Sequence, residues 1–147
     1  MMIRKWQNND RTPLLALWLE STIYAHPFIE ESYWHDSEPL VRDVYFPAAH
    51  TWVWEEEGNV KGFISVMDQR FIGALFVAPD SIGRGIGRAL LAFICDRYPD
   101  LSLEVYQKNS RAVNFYHAQG FRIEDSAWQD DTQQPTWLMR WQADRMP

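Results

Sequence analysis

Apolar runs with a period of two alternate along the chain with apolar stripes at helical spacing, and that alternation lays out most of the architecture. Met2–Trp6 reads as a short first strand. Leu14, Leu15, Leu17, Trp18 and Leu19 recur at helical spacing, with Asp10 or Thr12 placed to cap the helix they define. Past a break at Ala25-His26-Pro27, a second helix is expected from about Ser32 to Val44. Pro39 should kink or split it, because proline removes an N–H and clashes with the preceding turn. Thr51–Glu56 and Val60–Met67 read as strands joined by a Glu57-Gly58-Asn59 turn. Phe71–Val77 is almost wholly apolar, which predicts a central strand covered on both faces.

From Gly85 to about Tyr98 the pattern is helical again, with Ile86, Leu90, Leu91 and Ile94 on one side. Leu101–Tyr106 is the next strand. Asn109 is placed to cap a helix over Ala112–Gln119, which Gly120 ends in a left-handed turn. Strands near Phe121–Asp125 and Thr136–Trp141 close the chain. The order β-α-α-β-β-β-α-β-α-β-β predicts an α/β (mixed α+β) fold on a mixed sheet. No repeat, low-complexity tract or linker interrupts it, so residues 1–147 are expected to form one domain.

Composition narrows the class. Hydrophobic residues make up 46% and charged residues 23%, ordinary for a soluble globular protein, although eight tryptophans are unusual enough to need a use. The longest apolar run, Phe71–Ala78, is too short to span a membrane, and Met1–Trp6 leads into polar residues rather than a secretion signal. One cysteine, Cys95, excludes an internal disulfide and a cysteine-based zinc site; its apolar surroundings predict a buried thiol. His35, His50 and His117 show no metal-ligand spacing, so no metal is expected. A cytoplasmic protein without a membrane partner fits these features. The net charge of −6 and the lack of a Lys/Arg cluster argue against nucleic acid as a partner.

Candidate chemistry begins at Gly83-Arg84-Gly85-Ile86-Gly87. A strand running into a glycine-rich turn that opens a helix is an anion site, because first-turn N–H groups lack helical partners and the helix dipole adds positive potential. Arg84 and Arg88 add charge. A Walker-type loop would need Gly-Lys-Ser/Thr, which is missing. A dinucleotide fingerprint would read G-x-G-x-x-G, whereas this loop reads G-x-G-x-G, although Glu104 lies near the position of a ribose-binding acid. Coenzyme A is the third class that such a nest suits.

A second motif follows the loop: Asn109-x-x-Ala112-x-x-Phe115-Tyr116-x-x-x-Gly120-Phe121. Together with Val77-x-Pro79 and Gly83-Arg84-Gly85-Ile86-Gly87-x-Ala89-Leu90-Leu91, it resembles the GNAT superfamily of acetyl-CoA-dependent N-acetyltransferases. Leu17–Thr22, Pro39–Asp43, Trp52–Glu56 and Leu103–Asn109 extend the similarity to bacterial members over most of the chain. The resemblance implies a central, mostly antiparallel sheet flanked by helices, with acetyl-CoA as co-substrate. It further implies that Leu75, Phe76 and Val77 bind the pantetheine arm through their backbone, and that Ile82 to Arg88 hold the pyrophosphate. Asn109 would bond the arm, and Tyr116 would protonate the leaving thiolate. The family often has Gln or Arg at the position of Ile82, so here the phosphates must rely on backbone N–H groups and the two arginines.

Amine acylation also needs a base, and Glu104 is the first candidate, ahead of Glu55, Glu56 and His26. The acceptor site is expected between the first two helices and the last hairpin. Tyr24, Phe28, Tyr33, Trp34, Phe71, Trp128 and Trp137 are available to line it, with His26, Phe28, Trp34 and Phe71 the preferred contacts. An aromatic wall beside a carboxylate suits a lysine, so protein lysine is the favoured acceptor. Acetylation of a small amine or aminoacyl-tRNA, acetyl-CoA binding without catalysis, and a dinucleotide-dependent oxidoreductase are the competing readings.

Overall fold

The computed structural model describes residues 2–143; Met1 and residues 144–147, which the one-domain expectation includes, lie outside the described residues. Seven strands occur: β1 (Met2–Lys5), β2 (His50–Glu56), β3 (Asn59–Met67), β4 (Phe71–Val77), β5 (Asp100–Tyr106), β6 (Arg122–Gln129) and β7 (Gln134–Gln142). They form one sheet in the order β1-β2-β3-β4-β5-β7-β6, antiparallel throughout except where β4 meets β5. The helices are α1 (Arg11–Ala25), α2 (Glu31–Leu40), the single turn α3 (Phe46–Ala48), α4 (Ile86–Cys95) and α5 (Ser110–Ala118). The element order is the one the periodicity predicts, with single turns added.

Two cores flank the sheet. On one face Ile86, Leu90, Leu91 and Ile94 of α4 and Tyr116 of α5 pack on Ile64, Val66, Leu101, Leu103 and Val105. On the other, Leu14, Leu17 and Trp18 of α1 and Trp34 of α2 pack with Val53 and Phe63. Strand β3 serves both cores, which is why Phe63 to Val66 are buried in succession rather than alternately. None of the helices is long and apolar enough to cross a membrane among the described residues.

Three local expectations change. Asp10 sits at the N-cap position of α1 without capping it. Its carboxylate instead accepts the Gln7 N–H at 2.7 Å and two Arg4 bonds at 2.8 and 3.0 Å, and Arg4 also holds Glu55 at 2.7 Å. Arg4 keeps the Asp10 carboxyl below the usual carboxylate range. Pro39 does not split α2; the helix runs through it to Leu40 and continues as a π turn at Val41–Tyr45. Cys95 is half-buried rather than fully buried, and burial pushes its thiol up to about 11.

Candidate active site

The site arises from one irregular strand. Strand β4 is central, as its apolar run predicts, but it is not covered on both faces: Gly73 is exposed and Leu75, Phe76 and Val77 are half-buried. Its β3 edge is paired from Phe71 to Val77, with a bulge that leaves Gly73 without a partner. A bulge bends its strand and shifts side-chain parity by one. Ile72 therefore faces the α4 core, Ala74 and Phe76 the α1 core, and Leu75 and Val77 the α4 core again. On its other edge β4 meets β5 at Phe71 and Ser102, with the Ser102 N–H on Arg70 O at 2.8 Å. Beyond that point the two parallel strands separate, and Leu75–Val77 present backbone groups to the gap.

A cleft of about 440 Å³ fills this gap and reaches both faces of the sheet. From the α4 side Tyr116 and Asn109 line it; from the α1 side come His26, Trp34, Glu104 and Tyr106. Tyr116 is 9% exposed, and its hydroxyl has no hydrogen-bond partner among the described residues. Burial raises the hydroxyl above the ordinary tyrosine range, so it stays protonated at neutral pH. Asn109 caps α5 with its side-chain oxygen, accepting the Ala112 N–H at 3.3 Å, which leaves its NH₂ group for another partner.

Glu104 and Tyr106 share a strand face, and both point away from the α4 core. The Glu104 carboxylate is held from both sides: Thr136 Oγ1 donates to Oε2 at 2.6 Å and Gln129 Nε2 to Oε1 at 3.2 Å. His26, 7% exposed, follows the last turn of α1. Its Nδ1 lies 2.7 Å from Thr22 O, and desolvation holds its imidazole below its ordinary value. Rings of Trp34 and Tyr106 each stand 5.1 Å from it. The indole N–H of Trp34 is buried without an acceptor among the described residues.

The glycine loop lies at the C-terminal end of β4. Gly83 (φ 90°) and Gly85 (φ 85°) both need the left-handed region that glycine enters freely, and a Cβ on either would meet nothing within 4 Å. Gly85 is the N-cap of α4 and no side chain caps the helix, so its first N–H groups have no side-chain partner there. This fits a pyrophosphate. Arg88 is exposed and unpaired among the described residues, whereas Arg84 donates to Glu56 at 2.6 Å. Among the described residues no cluster of three His, Cys, Asp or Glu side chains could hold a metal ion.

Several expected residues fall elsewhere. Phe71 lines a neighbouring cavity of about 300 Å³ that shares Trp18, Val41, Tyr45, Gly73 and Ala74 with the cleft. Phe28 stands behind His26 and Tyr106, at 5.7 and 5.8 Å. Tyr24 and Trp128 are exposed and outside the cleft, and Trp137 packs on the α4 core because it sits opposite Val105. Glu55 and Glu56 are engaged by Arg4 and Arg84 and do not reach the cleft lining. Thr22, Tyr106 and Asp131, not singled out from the sequence, belong to it.

Comparison with known proteins gives a consistent result. The model of the acetyltransferase (GNAT) family matches residues 11–121. Peptidyl-lysine N-acetyltransferase YiaC of Escherichia coli (strain K12) is 56% identical over 140 residues, covering 95% of this chain and 96% of YiaC. The solution structure of apo-form YjaB from Escherichia coli superposes with a TM-score of 0.83 at 29% identity, covering 97% of this chain and 98% of YjaB. The paiA N-acetyltransferase of Thermoplasma acidophilum, solved in complex with coenzyme A, shares the fold at a TM-score of 0.80 and 19% identity, over 96% of this chain and 98% of its own.

Proposed function

The chain belongs to the GNAT family of acetyltransferases, which use acetyl-CoA, and from that premise we propose that it acetylates lysine side chains of proteins. The observation that carries the reading is the separation of β4 from β5, which opens a cleft between a buried hydroxyl on one face and an aromatic, acidic wall on the other. The peptidyl-lysine activity in YiaC's name supports the choice of acceptor. So does the wall itself: Tyr33, Trp34 and Tyr106 offer apolar surface to a lysine stem, and Glu104 offers charge to its ammonium.

In this reading the backbone of Leu75, Phe76 and Val77 binds the pantetheine arm as an added strand. First-turn N–H groups of α4, with Gly83 to Gly87 and Arg88, hold the pyrophosphate, and Ile82 supplies apolar contact only. Asn109 bonds the arm through its free NH₂. His26 and Trp34 contact the acceptor directly; Phe28 supports His26 from behind, and Phe71 bounds the adjoining cavity. As the amine nitrogen bonds to the acetyl carbon and the C–S bond breaks, the Tyr116 hydroxyl gives its proton to sulfur and regains one from the nitrogen. A protonated, uncharged donor is what that step requires. Residues 1–147 act as one catalytic domain. A lone half-buried thiol suits a reducing compartment, so we place the activity in the cytoplasm.

The test is incubation with acetyl-CoA and lysine-containing peptides, small amines and aminoacyl-tRNA in parallel, reading thiol release and the mass of the acceptor. Acetylated lysine in the peptides is the expected result. Turnover confined to small amines or aminoacyl-tRNA would overturn the choice of acceptor. Acetyl-CoA binding without turnover on any amine would replace the enzyme with a binding protein.

A further inference from the structure

We propose that His26 is the catalytic base, its Nε2 taking the proton from the incoming ammonium; the inference rests on the acyl-transfer reading above. An ammonium has no lone pair, so a proton must leave before the nitrogen can attack. A base in this cleft needs an open lone pair on the acceptor side, and the geometry supplies one.

His26 Nδ1 is 2.7 Å from the backbone oxygen of Thr22, four residues earlier in α1. A carbonyl oxygen only accepts, so Nδ1 carries the hydrogen. In the neutral ring Nε2 then bears the lone pair. Nε2 has no hydrogen-bond partner among the described residues, and His26 lines the cleft. Trp34, Phe28 and Tyr106 pack around the ring and fix its plane, at centroid distances of 5.1, 5.7 and 5.1 Å.

Glu104 is placed differently. Both of its carboxylate oxygens already accept hydrogen bonds, from Thr136 and Gln129. That arrangement orients a fixed negative charge. It suits guiding a cation into the cleft and balancing the imidazolium that forms, rather than receiving a proton. Burial keeps His26 neutral at physiological pH, so its Nε2 lone pair is available when the ammonium arrives.

The balance is simple. One proton passes from the ammonium to Nε2 and leaves to solvent. The N–C bond forms and the C–S bond breaks. Tyr116 protonates sulfur and is reprotonated by the second amine hydrogen. The products are the amide, free thiol and one proton.

His26→Gln and His26→Ala, assayed on a lysine peptide beside the wild type, test this. Loss of about 10²-fold in kcat is expected for both, with the acetyl-CoA Kd unchanged. Added imidazole should restore several-fold activity to His26→Ala and none to His26→Gln. The wild-type rate should fall with acidity as His26 takes up a proton below its ordinary value, and that acid limb should vanish in His26→Gln. The other titratable groups of the cleft are Glu104 and Tyr106 of β5, Tyr33 of α2, Tyr45 of the π turn, Tyr116 of α5 and Asp131 after β6. All remain in the variant, so a surviving acid limb would assign it to one of them and overturn the proposal.

Retention of kcat within about 3-fold would overturn it as well, as general-base loss is larger. Nitrogen NMR of the wild-type imidazole is independent of any folding defect in the variants. A proton on Nε2 rather than Nδ1 at pH 7 sinks the base, whereas Nδ1–H with an Nε2 that responds to a bound lysine peptide supports it. No wild-type turnover on the peptide would instead fell the acyl-transfer reading itself.

Discussion

The two edges of β4 have been put to opposite uses. Toward β3 the strand is paired at both ends and on either side of the bulge at Gly73, and the side chains there belong to the two buried cores. Toward β5 it is paired at Phe71 alone among the described residues, then parts company and leaves half-buried backbone facing a cleft. Unpaired buried backbone costs free energy unless something satisfies it. A strand that gives up one edge therefore depends on the other for its place, and the open edge waits for a chain-like ligand. Stability and function thus lie side by side on seven residues, and single substitutions should separate them.

The paired edge should break first. Phe63 is fully buried in β3, opposite Phe76 at 6.0 Å and against Phe46 at 5.8 Å. Phe63→Ala should destabilise the fold by about 3–5 kcal/mol, since the cavity left among rigid neighbours cannot fully collapse. Denaturant unfolding measures it. Acetyl-CoA bound per folded molecule should change little, and a stability loss below about 1 kcal/mol would show that this edge is not where β4 is held.

Tyr116→Phe on the open side should do the reverse. Loss of the proton donor lowers kcat about 10²-fold, while acetyl-CoA affinity holds. Because the hydroxyl has no partner among the described residues, unfolding stability should stay within about 1 kcal/mol of the original. Unchanged kinetics would remove Tyr116 from the acid role, and a large stability loss would move it from the functional side of the comparison to the structural one.

Which parts of this division the sequence announces depends on the range of the interaction that sets them. Strand alternation and helical stripes are local, so the elements, the Asn109 cap and the Gly120 turn are legible, and the two spaced motifs place the cofactor loop. Gly73 inside an apolar strand is a readable sign of a bulge, although the parity switch it causes needs the partner strand to be seen. Thr22 and Tyr106 are within reach of simple periodicity: Thr22 lies in α1 four residues before His26, the residue that ends it, and Tyr106 shares its strand face with Glu104. The same rule does not exclude Tyr24, three residues from Ser21 and seven from Leu17, which is nevertheless exposed at the end of α1. Trp128 and Trp137 could not be sorted by residue type, because register with Pro135 and Val105 decides which way they point. Asp131 sits in a turn, where no period applies. Arg84 pairs with a residue 28 positions away, and no local pattern reports that.

That last pair yields the smallest effect and the finest test. Arg84 was expected to meet phosphate, yet it donates to Glu56 Oε1 at 2.6 Å, and Trp54 Nε1 donates to the same oxygen at 3.1 Å. Arg84 and the indole N–H hold the Glu56 carboxyl below the usual carboxylate range, so the pair is charged at neutral pH. Half of the Arg84 side chain is exposed, and exposed ion pairs are weak enough to be exchanged for a better partner. Glu56→Gln removes the negative charge and keeps an oxygen for Trp54. If Arg84 swings from β2 to the phosphates on binding, the substitution should tighten acetyl-CoA about 2- to 3-fold at low salt, with the gain fading as ionic strength rises. A titration at two salt concentrations reads it. Equal affinities in both would mean that Arg84 stays with Glu56, a strut between β2 and the loop, and that Arg88 and the α4 N–H groups hold the phosphates without it.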